Sequence, residues 1–257
     1  MEVNELIGLV ILVLLGIYIW KRKEDDSFKK KIEEESKKIP SLLQSLRLRQ
    51  MSLERYFFIL DEFVSVDVET TGLKSATSSI IQISFVYFKS GSPVKKYTRY
   101  IDPECTIPAN ATKVNNITNE MLLGAPKFRD VSNTIRDIIT KYKIVGHNLR
   151  FDTKMIEYEF TRLGCQVRLN WGFCTMSEEI KRPLIESKPT RYIKLADLAK
   201  GYGIEPSGNL HDAYYDALLA GKIAVHIAKQ AKKEHERLNI EIKLLNMKLE
   251  SYKNLSQ

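Results

Sequence analysis

Residues Phe63 to Gly72 read FVSVDVETTG, in which three β-branched valines, Val64, Val66 and Val68, alternate with Ser65, Asp67 and Glu69. Side chains alternate between the two faces of a strand, so the run predicts valines on one face and two neighbouring carboxylates on the other. Like charges at that spacing repel, and burial raises the penalty. A strand of this kind at the centre of a sheet needs something positive between its two acids.

Beyond this run the chain is first strand-rich and then alternating. SIIQISFVYF and VKKYTRYI read as two further strands, joined across Gly91 to Pro93. A helix carrying Val131, Ile135, Ile138, Ile139 and Tyr142 on one face comes next, then KIVGH as a short strand. Phe151 to Leu163 reads as a helix closed by Gly164, Arg168 to Cys174 as a weaker strand, and Leu195 to Tyr202 as helical. Asp212 is placed to cap a long last helix. Strands first and then strand–helix alternation predict an α/β fold, a mixed five-stranded sheet flanked by helices. With 257 residues, 44% of them hydrophobic and 28% charged, the chain has enough apolar surface for one substantial core, which excludes a disordered polymer. Cys105, Cys165 and Cys174 form no CxxC pair, so free thiols are expected and a structural zinc site is not.

The flanks differ in character. Leu6 to Trp20 is an uninterrupted apolar run followed at once by Lys21, Arg22 and Lys23. Tyr18 and Trp20 suit an interface, and acids rather than bases precede the run, unlike a cleaved signal. The expectation is an N-terminal transmembrane helix, a single-pass membrane location, and the rest of the chain on the cytoplasmic side. Residues 24–59 read as a charged helical linker in which Pro40 and Ser41 open an amphipathic helix bearing Leu42, Leu43, Leu46 and Leu53. At the far end Leu238, Ile242, Leu245, Leu249 and Tyr252 recur at heptad spacing, which leaves two readings open: a homodimer seam, or packing on the chain's own body. The net charge of +8 sits mostly in these flanks, as expected of a surface facing anionic lipid or nucleic acid, or simply of a solvated one.

The remaining acids can be placed on the predicted helices. Met155, Ile156, Phe160 and Leu163 form the apolar stripe of the helix after GHN, and Asp152 lies on that stripe in the first turn. Asp216 stands in the same relation to Leu219, Ala220, Ile223 and Ile227 on the last helix. One such aspartate is ordinary at a helix N-terminus. Two, together with the Asp67/Glu69 pair, predict four carboxylates converging on a hard divalent cation, magnesium or manganese. Glu159 also falls on the Asp152 stripe, so helical phase alone does not choose between them. His211, just ahead of the last helix, is either an exposed loop residue or a general base taking a proton from water. Two metals and such a base suit in-line hydrolysis of a phosphodiester.

VSVDVETTGL, VGHNLRFD and HDAYYDA, in that order, resemble the three motifs of the DEDDh 3′–5′ exonucleases, of the ribonuclease H-like superfamily. IPANATKVNNITNEMLLGAPKF and YIKLADLAKGYGI resemble that family's connecting segments, and the similarity covers roughly residues 60–229. The resemblance implies that Asp67, Glu69, Asp152 and Asp216 hold two Mg2+ or Mn2+ ions, and that His211 is the general base. It implies Thr70, Thr71 and Leu73 around the terminal nucleotide, with Asn148 and Phe151 beside the scissile phosphate and base; ordinary packing is the other reading of Leu73 and Phe151. His147 reads as structural. Two departures stand out: Asn116 where the family often has glycine, and Asp212 where a basic residue is frequent.

The organisation expected is therefore an anchor and basic flank over 1–23, a linker over 24–59, an exonuclease domain over 60–229 and a heptad tail over 230–257. The expected activity is metal-dependent hydrolysis from the 3′ end of single-stranded DNA or RNA, releasing nucleoside 5′-monophosphates. The competing reading is a non-catalytic nucleic-acid-binding or scaffold protein on a nuclease fold.

Overall fold

The computed structural model describes residues 26–181, 192–206, 208 and 211–255. Strands β1 (Glu62–Thr70), β2 (Ile80–Lys89), β3 (Ser92–Tyr100), β4 (Ile144–Gly146) and β5 (Trp171–Cys174) form one sheet in the order β3-β2-β1-β4-β5. β1 pairs antiparallel with β2 and parallel with β4; β2–β3 is antiparallel and β4–β5 parallel, giving the mixed five-stranded sheet expected. The helices are α1 (Asp26–Glu54), α2 (Phe58–Asp61), α3 (Ala109–Asn115), α4 (Phe128–Lys141), α5 (Arg150–Arg162), α6 (Thr175–Lys181), α7 (Leu195–Gly201) and α8 (Ala213–Leu255).

The chain divides into two compact units, one over Phe58–Ala228 and one made of the two flanks. In the first, the alternation of β1 sorts its side chains as the sequence predicts. Val64, Val66 and Val68 are buried in a core with Ile135 and Ile139 of α4 and Met155, Ile156 and Phe160 of α5. Burying each such side chain is worth about 1.5–3 kcal/mol, so this face anchors the sheet. The other face carries Ser65, Asp67 and Glu69 and meets the first turns of α8. Helix and sheet approach closely there because Gly221 has no side chain. A Cβ at that position would overlap the Phe88 ring and lie 3.0 Å from Ser65 Oγ.

The second unit pairs two heptad seams. Leu238, Ile242 and Tyr252 of α8 are buried, as are Ile32, Ile39, Leu43, Leu46 and Leu53 of α1. Pairs run in opposite senses along the two helices: Glu35 meets Lys248 at 3.0 Å and Tyr252 Oη at 2.8 Å, while Arg49 meets Glu234 at 2.7 Å. This is an antiparallel coiled-coil pair within one chain. The seam of α8 is therefore covered by α1, and the homodimer reading finds no support. Pro40 does not open a helix; it lies inside α1. A proline in a helix interior costs about 3 kcal/mol, and burial of Ile39 and Leu43 on either side is of a size to offset it.

The membrane expectation is corrected. Among the described residues no helix is long and apolar enough to cross a membrane, which overturns the fold with a transmembrane helix and the single-pass location read from it. α1 and α8 have the length, but charged side chains recur along both. The apolar run Leu6 to Trp20 lies outside the described residues.

Gly221→Ala tests the close packing of α8 on the sheet. Alanine in an exposed helix interior gains about 1 kcal/mol over glycine. Here the change is expected to destabilise the protein by about 1–3 kcal/mol, because the added methyl overpacks against Phe88. Urea unfolding checks it; an unchanged or raised midpoint would show that the contact is slack.

Candidate active site

β4 stops at Gly146, so beyond Val66 β1 has no strand neighbour on that side. The N–H of Val68 is left to donate to Asp152 Oδ1, at 3.1 Å, from the first turn of α5. Val68 stands between Asp67 and Glu69, so this one bond fixes Asp152 at the end of the strand that carries the other acids. The β1–β2 register shifts between Glu69 and Thr70, where Ile81 is the extra residue on β2, a bulge of the kind common beside active sites.

Asp216 arrives from the opposite direction. Its Oδ2 accepts the backbone N–H of His211 at 3.1 Å, in a turn where His211 has φ 62°. One ligand atom each from Glu69, His211 and Asp216 lies within 4.8 Å of the others. The first turn of α8 is held by Gln82, which lies directly opposite Glu69 on β2. Gln82 Oε1 accepts from Ala213 N–H at 3.0 Å, and its Nε2 donates to Asp212 Oδ2 at 3.3 Å. Asp212 Oδ1 caps the helix by accepting from Tyr214 N–H at 2.9 Å. The acid beside His211 is thus an N-cap and a partner of Gln82, which accounts structurally for this departure from the family pattern. Asn116, the other departure, has φ 59° and ends α3, a left-handed position that asparagine tolerates.

Glu159 is separated from Asp152 by its partners. Its Oε1 accepts Ile80 N–H at 2.9 Å and pairs with Arg162 at 3.2 Å, so it braces the start of β2. His147 is buried with both ring nitrogens engaged: Nε2 lies 2.8 Å from the Ile193 carbonyl and Nδ1 2.8 Å from Thr175 Oγ1. Burial holds its imidazole below the usual range, so the ring is neutral, donating to Ile193 and accepting from Thr175.

These groups face a cleft of about 740 Å³ lined by Asp67, Glu69, Asp152, His211 and Asp216, and also by Thr70, Leu73, Asn148 and Phe151. Leu73 is 86% exposed at its rim and Phe151 half-buried. Thr71 is the exception: it is buried, and its hydroxyl accepts from Ser79 N–H at 2.9 Å, tying the ends of the loop after β1. Sequence reasoning missed Asn115, Tyr192 and Lys194, which also line the cleft. Asn115 Nδ2 donates to the Thr70 carbonyl at 3.4 Å, and the run KVNNIT was the only hint of it.

The electrostatics arise from the crowding. Burial first, and then Asp152, Asp216 and Glu69, push the Asp67 carboxyl well up. Burial and the Asp216 charge raise Glu69 to about 8. Burial raises Asp216 to about 6, opposed by the His211 N–H bond. Asp152 is raised by burial against the backbone bonds that favour its charged form. Asp216 Oδ1 is buried without a hydrogen-bond partner. Hard carboxylate oxygens, one of them orphaned, fit a divalent cation of the magnesium or manganese kind.

This crowding makes stability depend on pH. Each raised carboxyl keeps its proton to higher pH in the folded protein than in the unfolded one. Metal-free, the folded state therefore binds more protons over roughly pH 4 to pH 8, and its stability falls as pH rises through that window. The expected result is a Tm lower at pH 8 than at pH 5.5 in chelator, with millimolar Mg2+ or Mn2+ raising it at pH 8 and hardly at pH 5.5. Thermal melts at both pH values check it; a metal effect equal at both would contradict the charge account.

Comparison with known proteins agrees with the geometry. The RNase T family of exonucleases matches residues 64–224. The PolC-type DNA polymerase III of Latilactobacillus sakei subsp. sakei (strain 23K) is 31% identical over 179 residues, which cover 70% of this chain and 12% of that protein. The PolC-type DNA polymerase III of Clostridium perfringens (strain 13 / Type A) is 30% identical over 182 residues, covering 68% and 12%. The chain thus spans about one eighth of the length of these curated relatives. Among solved structures, E. coli exonuclease I in complex with a dA16 oligonucleotide aligns with TM-score 0.58 at 20% identity, over 69% of this chain and 42% of that one. Exonuclease X in complex with 5′ overhanging duplex DNA aligns with TM-score 0.52 at 21% identity, over 65% and 92%. At such identities the structural likeness speaks to the fold; the family match carries the rest. The chain belongs to the RNase T family, DEDD-type 3′–5′ exonucleases of the ribonuclease H-like superfamily that depend on divalent metal.

Proposed function

We propose that the protein hydrolyses phosphodiester bonds one nucleotide at a time from the 3′ end of a single strand, releasing nucleoside 5′-monophosphates. The observation that carries this reading is the meeting of Asp67, Glu69, Asp152 and Asp216 at the end of β1, with His211 beside them. The four carboxylates would hold two Mg2+ or Mn2+ ions. Bound cations of this kind supply Lewis acidity, lower the pKa of water and offset charge building on the phosphate.

The chain's own groups do the remainder. His211 is exposed at the cleft, on a strained turn tied to Asp216, and is placed to take a proton from the attacking water. Leu73 and Phe151 offer apolar surface on which the terminal bases pack, while Thr70 and Asn148 present polar groups to the sugar and phosphate. Thr71 acts from behind, shaping the loop that carries Leu73. Single-stranded DNA is the favoured substrate, from the likeness to exonuclease I bound to dA16 and to PolC-type DNA polymerase III.

The test is a time course on end-labelled single-stranded DNA, duplex DNA and RNA with Mg2+, Mn2+ or chelator. The expected result is a ladder shortening from the 3′ end, fastest on single-stranded DNA and absent in chelator. Asp67→Asn should lower kcat by at least about a thousandfold without altering the circular dichroism spectrum. Intact oligonucleotides with either metal would favour a binding or scaffold protein on this fold.

A further inference from the structure

The candidate site is rich in negative charge, yet its substrate is a polyanion. Asp67, Glu69, Asp152, Asp197 and Asp216 all line the cleft, and two divalent cations would neutralise four charges at most. Lys194 is the only lysine or arginine among the described residues that line it. We propose that Lys194 binds a backbone phosphate of the nucleic-acid strand, a strand-positioning contact that rests on the exonuclease reading.

Three observations support this assignment beyond the residue's charge. Lys194 is exposed on the cleft wall and has no ion-pair or hydrogen-bond partner for its ammonium among the described residues, so the group is available. Its backbone is nevertheless fixed. The preceding carbonyl, Ile193 O, accepts from His147 Nε2 at 2.8 Å, and Lys194's own carbonyl accepts the first helical bond of α7, from Leu198 N–H at 3.0 Å. Ile193, Leu198 and Ala199 are buried, which seats this segment in the core while the lysine projects from it. The tether also connects the lysine to the catalytic region. His147 stands between β4 and α5, next to Asn148 and five residues before Asp152, so the junction that leads into the Asp152 helix also anchors Lys194. A solvated surface lysine needs neither the buried anchor on each side nor the position inside an acidic cleft.

A phosphate contact leaves a signature that a structural residue does not. Each phosphate neutralised by a lysine releases counterions, and on a single strand it steepens the dependence of log affinity on log salt by about 0.7. The experiment uses the full chain, a labelled single-stranded oligonucleotide and KCl between about 50 and 200 mM. Lys194→Gln is expected to raise KM about tenfold at the lowest salt, with kcat within about twofold. It should also flatten the salt slope by about 0.7, while Lys194→Arg keeps both values near those of the unmodified protein. Tm should be the same for all three. An unchanged KM and slope in Lys194→Gln would overturn the assignment, as would a loss in Lys194→Arg equal to that in Lys194→Gln. Fluorescence anisotropy with the same oligonucleotide runs alongside. If the unmodified protein fails to hydrolyse any substrate, the exonuclease reading falls, and the slope of Kd against salt still decides for or against Lys194.

Discussion

Mutual repulsion among carboxylates is the constraint on which this structure turns. Asp67 and Glu69 share one face of a central strand, Asp152 is bonded to the N–H between them, and Asp216 reaches Glu69 from the far helix. Burial alone disfavours each charge, and every neighbour adds to the penalty. In the absence of cations the cluster resolves this by holding protons, which is why Glu69 is pushed up to about 8. Such a site is unstable as charge and useful as a ligand set: the same crowding that penalises the bare carboxylates favours divalent cations.

The scaffold is organised to hold that cluster together. The apolar face of β1 is sealed by α4 and α5, so the strand cannot slip without exposing its valines. β4 is short, which frees the Val68 N–H for Asp152. Gly221 lets α8 lie close on the sheet, and Gln82 with Asp212 fixes the start of that helix. Each device is modest alone. Together they bring residues more than a hundred positions apart in the chain to one end of one strand. Folded proteins are typically stable by only about 5–15 kcal/mol, so this placement is a substantial commitment of packing and hydrogen bonds to function.

Much of this was legible in the sequence because it is periodic. The two-residue alternation of FVSVDVE gives the strand and both of its faces, and first-turn aspartates on apolar stripes give the approach of α5 and α8. What was not legible depends on partners that periodicity does not reveal. Helical phase could not separate Asp152 from Glu159; the first bonds to the strand end, the second to Ile80 and Arg162. Thr71 shares the motif with Thr70, but β1 ends at Thr70, and the Thr71 hydroxyl is engaged by the Ser79 N–H across the loop. The heptads at the C-terminal end were visible, but not their mate. Leu43, Leu46 and Leu53 read as one helix face, but Pro40 and the charged residues before it hid its continuation back through Ile39 to Ile32. Apolarity and flanking charge suggested a membrane span, a reading that no helix among the described residues sustains.

Divalent cations in the space among the four carboxylates are the part of the proposed function most open to direct test. Crystals grown with Mn2+ and measured above and below the manganese absorption edge would test it directly. Anomalous peaks bounded by Asp67, Glu69, Asp152 and Asp216, lost in crystals of Asp67→Asn, are the expected result. Ordered manganese elsewhere on the molecule, with the four carboxyl groups unchanged and no peak between them, would contradict it.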